Sequence, residues 1–188
     1  MTKHQLLREL SATVSEMIQD AGQYLLLSDQ ELAFRPDPAS WTILQCFEHL
    51  NLYNRFYNRE IKKKIASGKA SADHEIHATW IGKKSSAAMH PNNQKKQKTL
   101  RHLNPVSDLD RRVIEEFILH QRDLLTLLEG ASSKNLNAIG ISIEFFRLLK
   151  MNLADAFRFI VLHQERHFLQ LGKIRERLPK TGGVFLVV

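Results

Sequence analysis

LADAFRFIVLHQERHFLQLGKIRERL, residues 153–178, repeats one pattern in steps of three and four: Leu153, Ala156, Ile160, His163, His167, Gln170 and Ile174. That spacing predicts a single amphipathic helix with those seven residues on its inward side. Asn152, with Asp155 three residues on, supplies a start of the capping-box kind, and Pro179 followed by Gly182 and Gly183 ends the run. The two histidines set this helix apart. Burying an imidazole without partners costs about 1–3 kcal/mol, and two of them one turn apart need two sets of partners. A divalent cation satisfies both lone pairs at once, because residues i and i+4 point the same way. Hydrogen-bonded core histidines are the commoner explanation of such a pair, so the rest of the chain has to decide.

Working outward, residues 3–27 place Leu7, Leu10, Val14, Met17, Ala21 and Tyr24 on one seam. Pro36 and Pro38 then interrupt any helix. A second helix is expected over about 41–66, capped by Ser40, with Ile43, Cys46, Phe47, Leu50, Tyr53 and Tyr57 inward. A third is expected over about 109–128, with Asp108 as N-cap and Gly130 as C-cap glycine. Four long amphipathic helices without convincing strands predict an all-α four-helix bundle, a single domain spanning 1–188. The connection 67–108 far exceeds the two to eight residues usual between bundle neighbours. A link of that length can run the whole bundle and make the order up-down-down-up, although a disordered insertion would leave the same signature.

A third inward histidine strengthens the metal reading. His49 lies one turn from Cys46 and Tyr53 and beside Leu50, facing the interior or its border. Its bland alternative is a border residue bonded to a backbone carbonyl. Three imidazoles from two helices form the ligand set of a catalytic zinc-type site that keeps one position open for water or substrate. His120 on the third helix needs a favourable register to join them. His74, His77, His90 and His102 fall in the basic connection, where exposed histidines are unremarkable. Cys46 reads as a small core residue. Gln45 shares the side of His49 and can orient a ligand or a water; Glu48 points about a third of a turn away, toward the surface.

The chain of 188 residues has 43% hydrophobic and 25% charged residues, the balance of a globular protein with one substantial core. Its net charge is +7, yet residues 62–101 hold ten Lys or Arg against two acids, so the excess is local. Clusters at 62–64, 83–84 and 95–98 suit phosphates, but with Trp80 the single aromatic of that stretch there is no stacking platform for nucleic acid. A solvated basic loop is the expectation. The charged start MTKHQLLREL reads as neither signal peptide nor membrane span, and one cysteine fits a reducing compartment, which together predict a cytoplasmic protein without a membrane partner. There is no Ser-His-Asp set, phosphate-binding glycine loop or paired-cysteine motif.

The second helix opens RPDPASWTILQCFEHL and the fourth carries HQERHFLQ. Together these resemble the DinB-like (DinB/YfiT) superfamily, whose pattern joins a Trp-Ser/Thr start, a polar residue and His-Leu to a later H-x-x-R-H-x-x-Q. Trp41, Thr42, Gln45, His49 and Leu50 match the first part; His163, Arg166, His167 and Gln170 match the second. The resemblance implies an up-down-down-up bundle with a divalent metal on His49, His163 and His167, and commonly a homodimer. It also implies metal-dependent chemistry on a small molecule, either hydrolysis or thiol-dependent S-transfer with a low-molecular-weight thiol. Residues 67–108 depart from the family pattern, being longer and more basic. Zinc is the first expectation for an imidazole-only site, with nickel, iron and copper as other nitrogen-accepting ions. The competing functions are a non-enzymatic metal-binding bundle and, less favoured, a nucleic-acid-binding protein using residues 62–101.

Overall fold

The computed structural model describes residues 1–93, 95, 99–144 and 146–179. Gly182, Gly183 and the apolar tail ending in VFLVV lie outside the described residues, as do three of the four positions of the 95–98 basic cluster.

The chain is mostly helical, and its four long helices are α1 (Lys3–Tyr24), α3 (Ile43–Ser67), α5 (Arg112–Ala131) and α6 (Leu153–Glu176). Helices α1 and α3 each pack against both α5 and α6. The expected seams face inward: Val14, Met17 and Ala21 of α1, Phe47, Leu50 and Tyr57 of α3, and Ala156 and Ile160 of α6 are buried. Polar groups set the registers between helices. Asn51 Nδ2 donates to the Val113 carbonyl at 2.8 Å and Asn58 Nδ2 to the His120 carbonyl at 2.9 Å, fastening α3 to α5. Gln164 Nε2 donates to Asn54 Oδ1 at 2.9 Å between α6 and α3.

Helix ends correct several expectations. Thr42, not Ser40, caps α3; its hydroxyl accepts from Gln45 N and the Gln45 side chain accepts from Thr42 N in return. The helix therefore starts two residues later, and Gln45 spends its carbonyl oxygen on the cap. Helix α5 starts after Arg111 rather than at Asp108, because the Asp110 carboxylate holds the amide and guanidinium of Arg112. Gly130 lies inside α5, which ends at Ser132 in the αR conformation, so no left-handed glycine is needed there. Helix α1 stops at Tyr24, three residues short, because Leu25–Leu27 fold back in turns. Asn152 caps α6 as expected, accepting from Asp155 N at 2.8 Å, but the Asp155 carboxylate faces elsewhere.

The connections hold more structure than the sequence suggests. A short helix α2 (Asp29–Leu32) follows α1. Between α5 and α6 an antiparallel hairpin pairs β1 (Gly140–Ile143) with β2 (Phe146–Asn152), correcting the expectation of no strands. Ile141 and Ile143 alternate into the core, and that two-residue period is too short to stand out in the sequence. The basic connection is not a solvated loop throughout. It carries helix α4 (Trp80–Met89), which packs on α6, and a 3-10 turn at Arg101–Leu103.

Two buried charged residues hold this connection down. Lys3 is fully buried, and its ammonium donates to the carbonyls of Ser71 at 2.9 Å, Ala72 at 3.0 Å and Lys134 at 3.4 Å. Asp155 Oδ2 accepts from Thr79 N at 2.7 Å and Thr79 Oγ1 at 2.8 Å, at the start of α4. The backbone of Gly82 lies so close that an added Cβ would stand 2.0 Å from Asp155 Cγ. Gly82→Ala is accordingly expected to push α4 off α6 and lower stability by about 1–3 kcal/mol, whereas exposed Lys83→Ala changes it by less than about 0.5 kcal/mol, both read by urea unfolding.

Candidate metal centre

Helices α3 and α6 bring His49, His163 and His167 together, with their ring nitrogens within 4.8 Å of one another. They are 2%, 4% and 9% exposed. His49 Nε2 stands 3.2 Å from His163 Nε2, and His167 Nε2 stands 3.1 Å from the same atom. The other nitrogens fix the tautomers. His49 Nδ1–H donates to the Leu103 carbonyl at 2.8 Å, and His167 Nδ1–H donates to Gln170 Oε1 at 3.0 Å. Both rings therefore turn an Nε2 lone pair toward His163.

This donor set fits a divalent cation. Neutral imidazoles bind metal through a lone pair, and each ring nitrogen opposite the lone pair is commonly tied to a carbonyl or amide oxygen. Nitrogens at about 2.0–2.1 Å from a tetrahedral zinc stand roughly 3.3–3.4 Å apart, close to the two short separations here. A single Nε2–H on His163 cannot satisfy both neighbours fully.

Burial enforces neutrality. Desolvation lowers the pKa of His49 from 6.5 to about 4, partly offset by the Leu103 carbonyl. Desolvation, with His49 beside it, lowers His167 to about 3, and desolvation with both neighbouring histidines holds His163 well below its ordinary value. Aromatic rings complete the enclosure: Trp41 lies 4.8 Å from the His49 ring and 5.9 Å from His167, and Tyr53 lies 4.3 Å from His163.

The other expected contributors stand apart. His120, half-buried on α5, meets Glu116 Oε1 at 3.1 Å and is not among the clustered histidines. Cys46 is buried in the core and its thiol pKa is pushed up by desolvation. Glu48 is buried rather than on the surface, since Arg55 reaches back to clamp it at 2.8 and 3.1 Å. Gln45 does not orient a ligand: besides the cap it accepts from Arg35 at 3.0 Å and donates to the Val106 carbonyl at 3.4 Å. His102 pairs with Glu144 at 3.0 Å. Sequence reasoning missed Leu103, whose carbonyl orients His49; a backbone acceptor fifty-four positions away leaves no signal in residue types. Gln170 carried a signal, lying one helical turn beyond His167.

The depressed pKa values make the metal-free protein acid-sensitive. Below pH 6.5 the unfolded chain protonates these imidazoles, while the folded chain refuses the proton until about pH 4 at His49 and about pH 3 at His167. The unfolded state then binds more protons, so stability is complete above 6.5 and is lost progressively as pH falls through that window. Thermal melts of chelator-treated protein should show this decline, and a His163→Asn/His167→Asn variant should show a shallower one.

The model of the DinB superfamily matches residues 19–171, which include all three histidines. No curated protein matches the chain. Among solved structures, YfiT from Bacillus subtilis, described as a probable metal-dependent hydrolase with an unusual four-helix bundle topology, superposes with a TM-score of 0.56. The two are 13% identical, and the match covers 93% of this chain and 86% of YfiT, so it speaks to the fold. No helix among the described residues is long and apolar enough to cross a membrane. With the family model spanning most of its length, the chain belongs to the DinB superfamily.

Proposed function

We propose that His49, His163 and His167 hold one divalent metal ion, zinc first, and that the protein is a metal-dependent enzyme acting on a small molecule. The observation that carries this reading is the convergence of three buried Nε2 atoms at 3.1–3.2 Å around His163, with two of the rings locked by Nδ1 hydrogen bonds. Bound there, the ion would supply Lewis acidity toward a substrate group, a water or a thiol. The chain's own residues do the rest: the Leu103 carbonyl and Gln170 orient two ligands, and Trp41 and Tyr53 exclude bulk water.

Hydrolysis is the preferred reaction, supported by the description of YfiT; thiol-dependent S-transfer at the same centre is the second form of the proposal. The up-down-down-up order belongs to this reading. It is supported by the pairings 51 with 113 and 58 with 120, which run the same way along α3 and α5, and by the contacts of Tyr53 and Tyr57 with Phe159 and of Phe47 with Phe168, which run oppositely along α3 and α6. A single-domain, cytoplasmic homodimer completes it.

Protein purified without chelator is expected to contain about one divalent metal per chain by elemental analysis, and His163→Ala or His167→Ala to contain none. Wild type that stays metal-free after reconstitution rules the assignment out. Gln170→Ala should keep the fold and weaken metal affinity about 10–100-fold, read by competition with a chelating dye.

A further inference from the structure

A cavity of about 130 Å³ opens beside the histidine cluster, with Ser40, Trp41, Gln170, Lys173 and Arg177 among its walls. Two of these walls touch the cluster itself: Trp41 stacks on His167, and Gln170 accepts from His167 Nδ1. The cavity therefore lies against the outer side of the cluster, at the end of α6, with Trp41 and Gln170 between it and the His167 ring.

Its electrostatics are one-sided. Among the described residues its wall contains two cations and no acid. Arg177 is neutralised by Asp37 at 2.8 Å, but Lys173 is exposed and has no ion pair or hydrogen bond among the described residues. Deeper in, imidazoles that bind a metal through a lone pair are neutral, and the guanidinium of Arg166 adjoins His167 in the chain. Arg166 in turn is held by the carbonyls of Asn93 and Lys95, which leave its charge in place. The nearby carboxylate of Glu48 is taken by Arg55, while that of Glu144 faces the His102 ring at 3.0 Å. A divalent ion on three neutral ligands would keep its full +2, which no charged ligand offsets.

We propose that this mouth selects small molecules with an anionic end group, a carboxylate or its like, which Lys173 holds while the opposite end reaches the histidine cluster. The inference rests on the three-histidine metal reading. Lys173 lies six residues beyond His167, about 9 Å along the helix axis and about a third of a turn around it, with Gln170 of the same cavity wall between them.

The test uses full-length protein loaded with cobalt(II), whose visible bands report ligands entering the metal site. It is titrated with neutral acetohydroxamate and with the monohydroxamates of succinic, glutaric and adipic acid, which add a carboxylate at increasing reach. At least one carboxylated member should bind about tenfold tighter than acetohydroxamate, the size of one charge-assisted contact. Lys173→Gln should shrink that preference to about twofold or less, and Lys173→Arg should retain it, both with wild-type cobalt content. Equal affinities across the series, a preference that survives in Lys173→Gln, or cobalt bands that no hydroxamate perturbs would each overturn the anion proposal while leaving the metal site standing. Failure of cobalt to bind at all would overturn both.

Discussion

Three buried imidazoles with their Nε2 atoms crowded around one point impose the constraint on which the centre of this protein depends. Lone pairs aimed at one another repel, and a buried imidazole forgoes water, so the arrangement is costly in a chain built of helices alone. It persists because the surroundings over-determine it. The backbone at Leu103 turns one ring, Gln170 turns another, and aromatic faces of Trp41 and Tyr53 confine all three. Neutrality follows from the same burial, since a charge on any of the rings would forfeit its hydration in a dry interior.

The long connection between α3 and α5 is part of that confinement. Its start is pinned by the ammonium of Lys3 and by Asp155, and its α4 lies along α6. Its later part passes the site, where the carbonyls of Leu103 and Val106 receive His49 and Gln45, and those of Asn93 and Lys95 receive Arg166. The RPDPASWTILQCFEHL and HQERHFLQ stretches thus both serve the site: His49, His163 and His167 face the centre, while Gln45 and Arg166 bind the backbone that encloses it. Lys69, Lys83, Lys84, Lys95 and Arg101 of this connection are exposed on a segment whose backbone serves the site. Positive charge there needs no nucleic-acid partner to account for it.

Polar groups elsewhere in the bundle set register rather than chemistry. Asn51 and Asn58, seven residues apart on α3, each hold a carbonyl of α5, and Arg55 between them joins Glu48 to Glu116. A hydrophobic seam alone tolerates sliding by a turn; amide-to-carbonyl bonds at fixed positions do not. Between α6 and α3 the same role falls to Gln164, one residue from His163, which donates to Asn54.

The sequence by itself determined the four long helices, because their seams repeat in steps of three and four over twenty or more residues. The three histidines that the fold brings together were legible too, because they stood where that period required apolar side chains, at His163 and His167 in one helix and His49 in another. The family pattern across Trp41–Leu50 and His163–Gln170 was legible for the same reason. The remaining features depend on partners distant in the chain: Leu103 beneath His49, Thr79 against Asp155, Arg55 drawing Glu48 inward, and a hairpin whose strands are too short to announce themselves. Periodicity reports which face of a helix is dry. Which backbone carbonyl, salt bridge or loop then covers that face is fixed only when the helices have met, since hydrogen bonds to the main chain carry no residue signature.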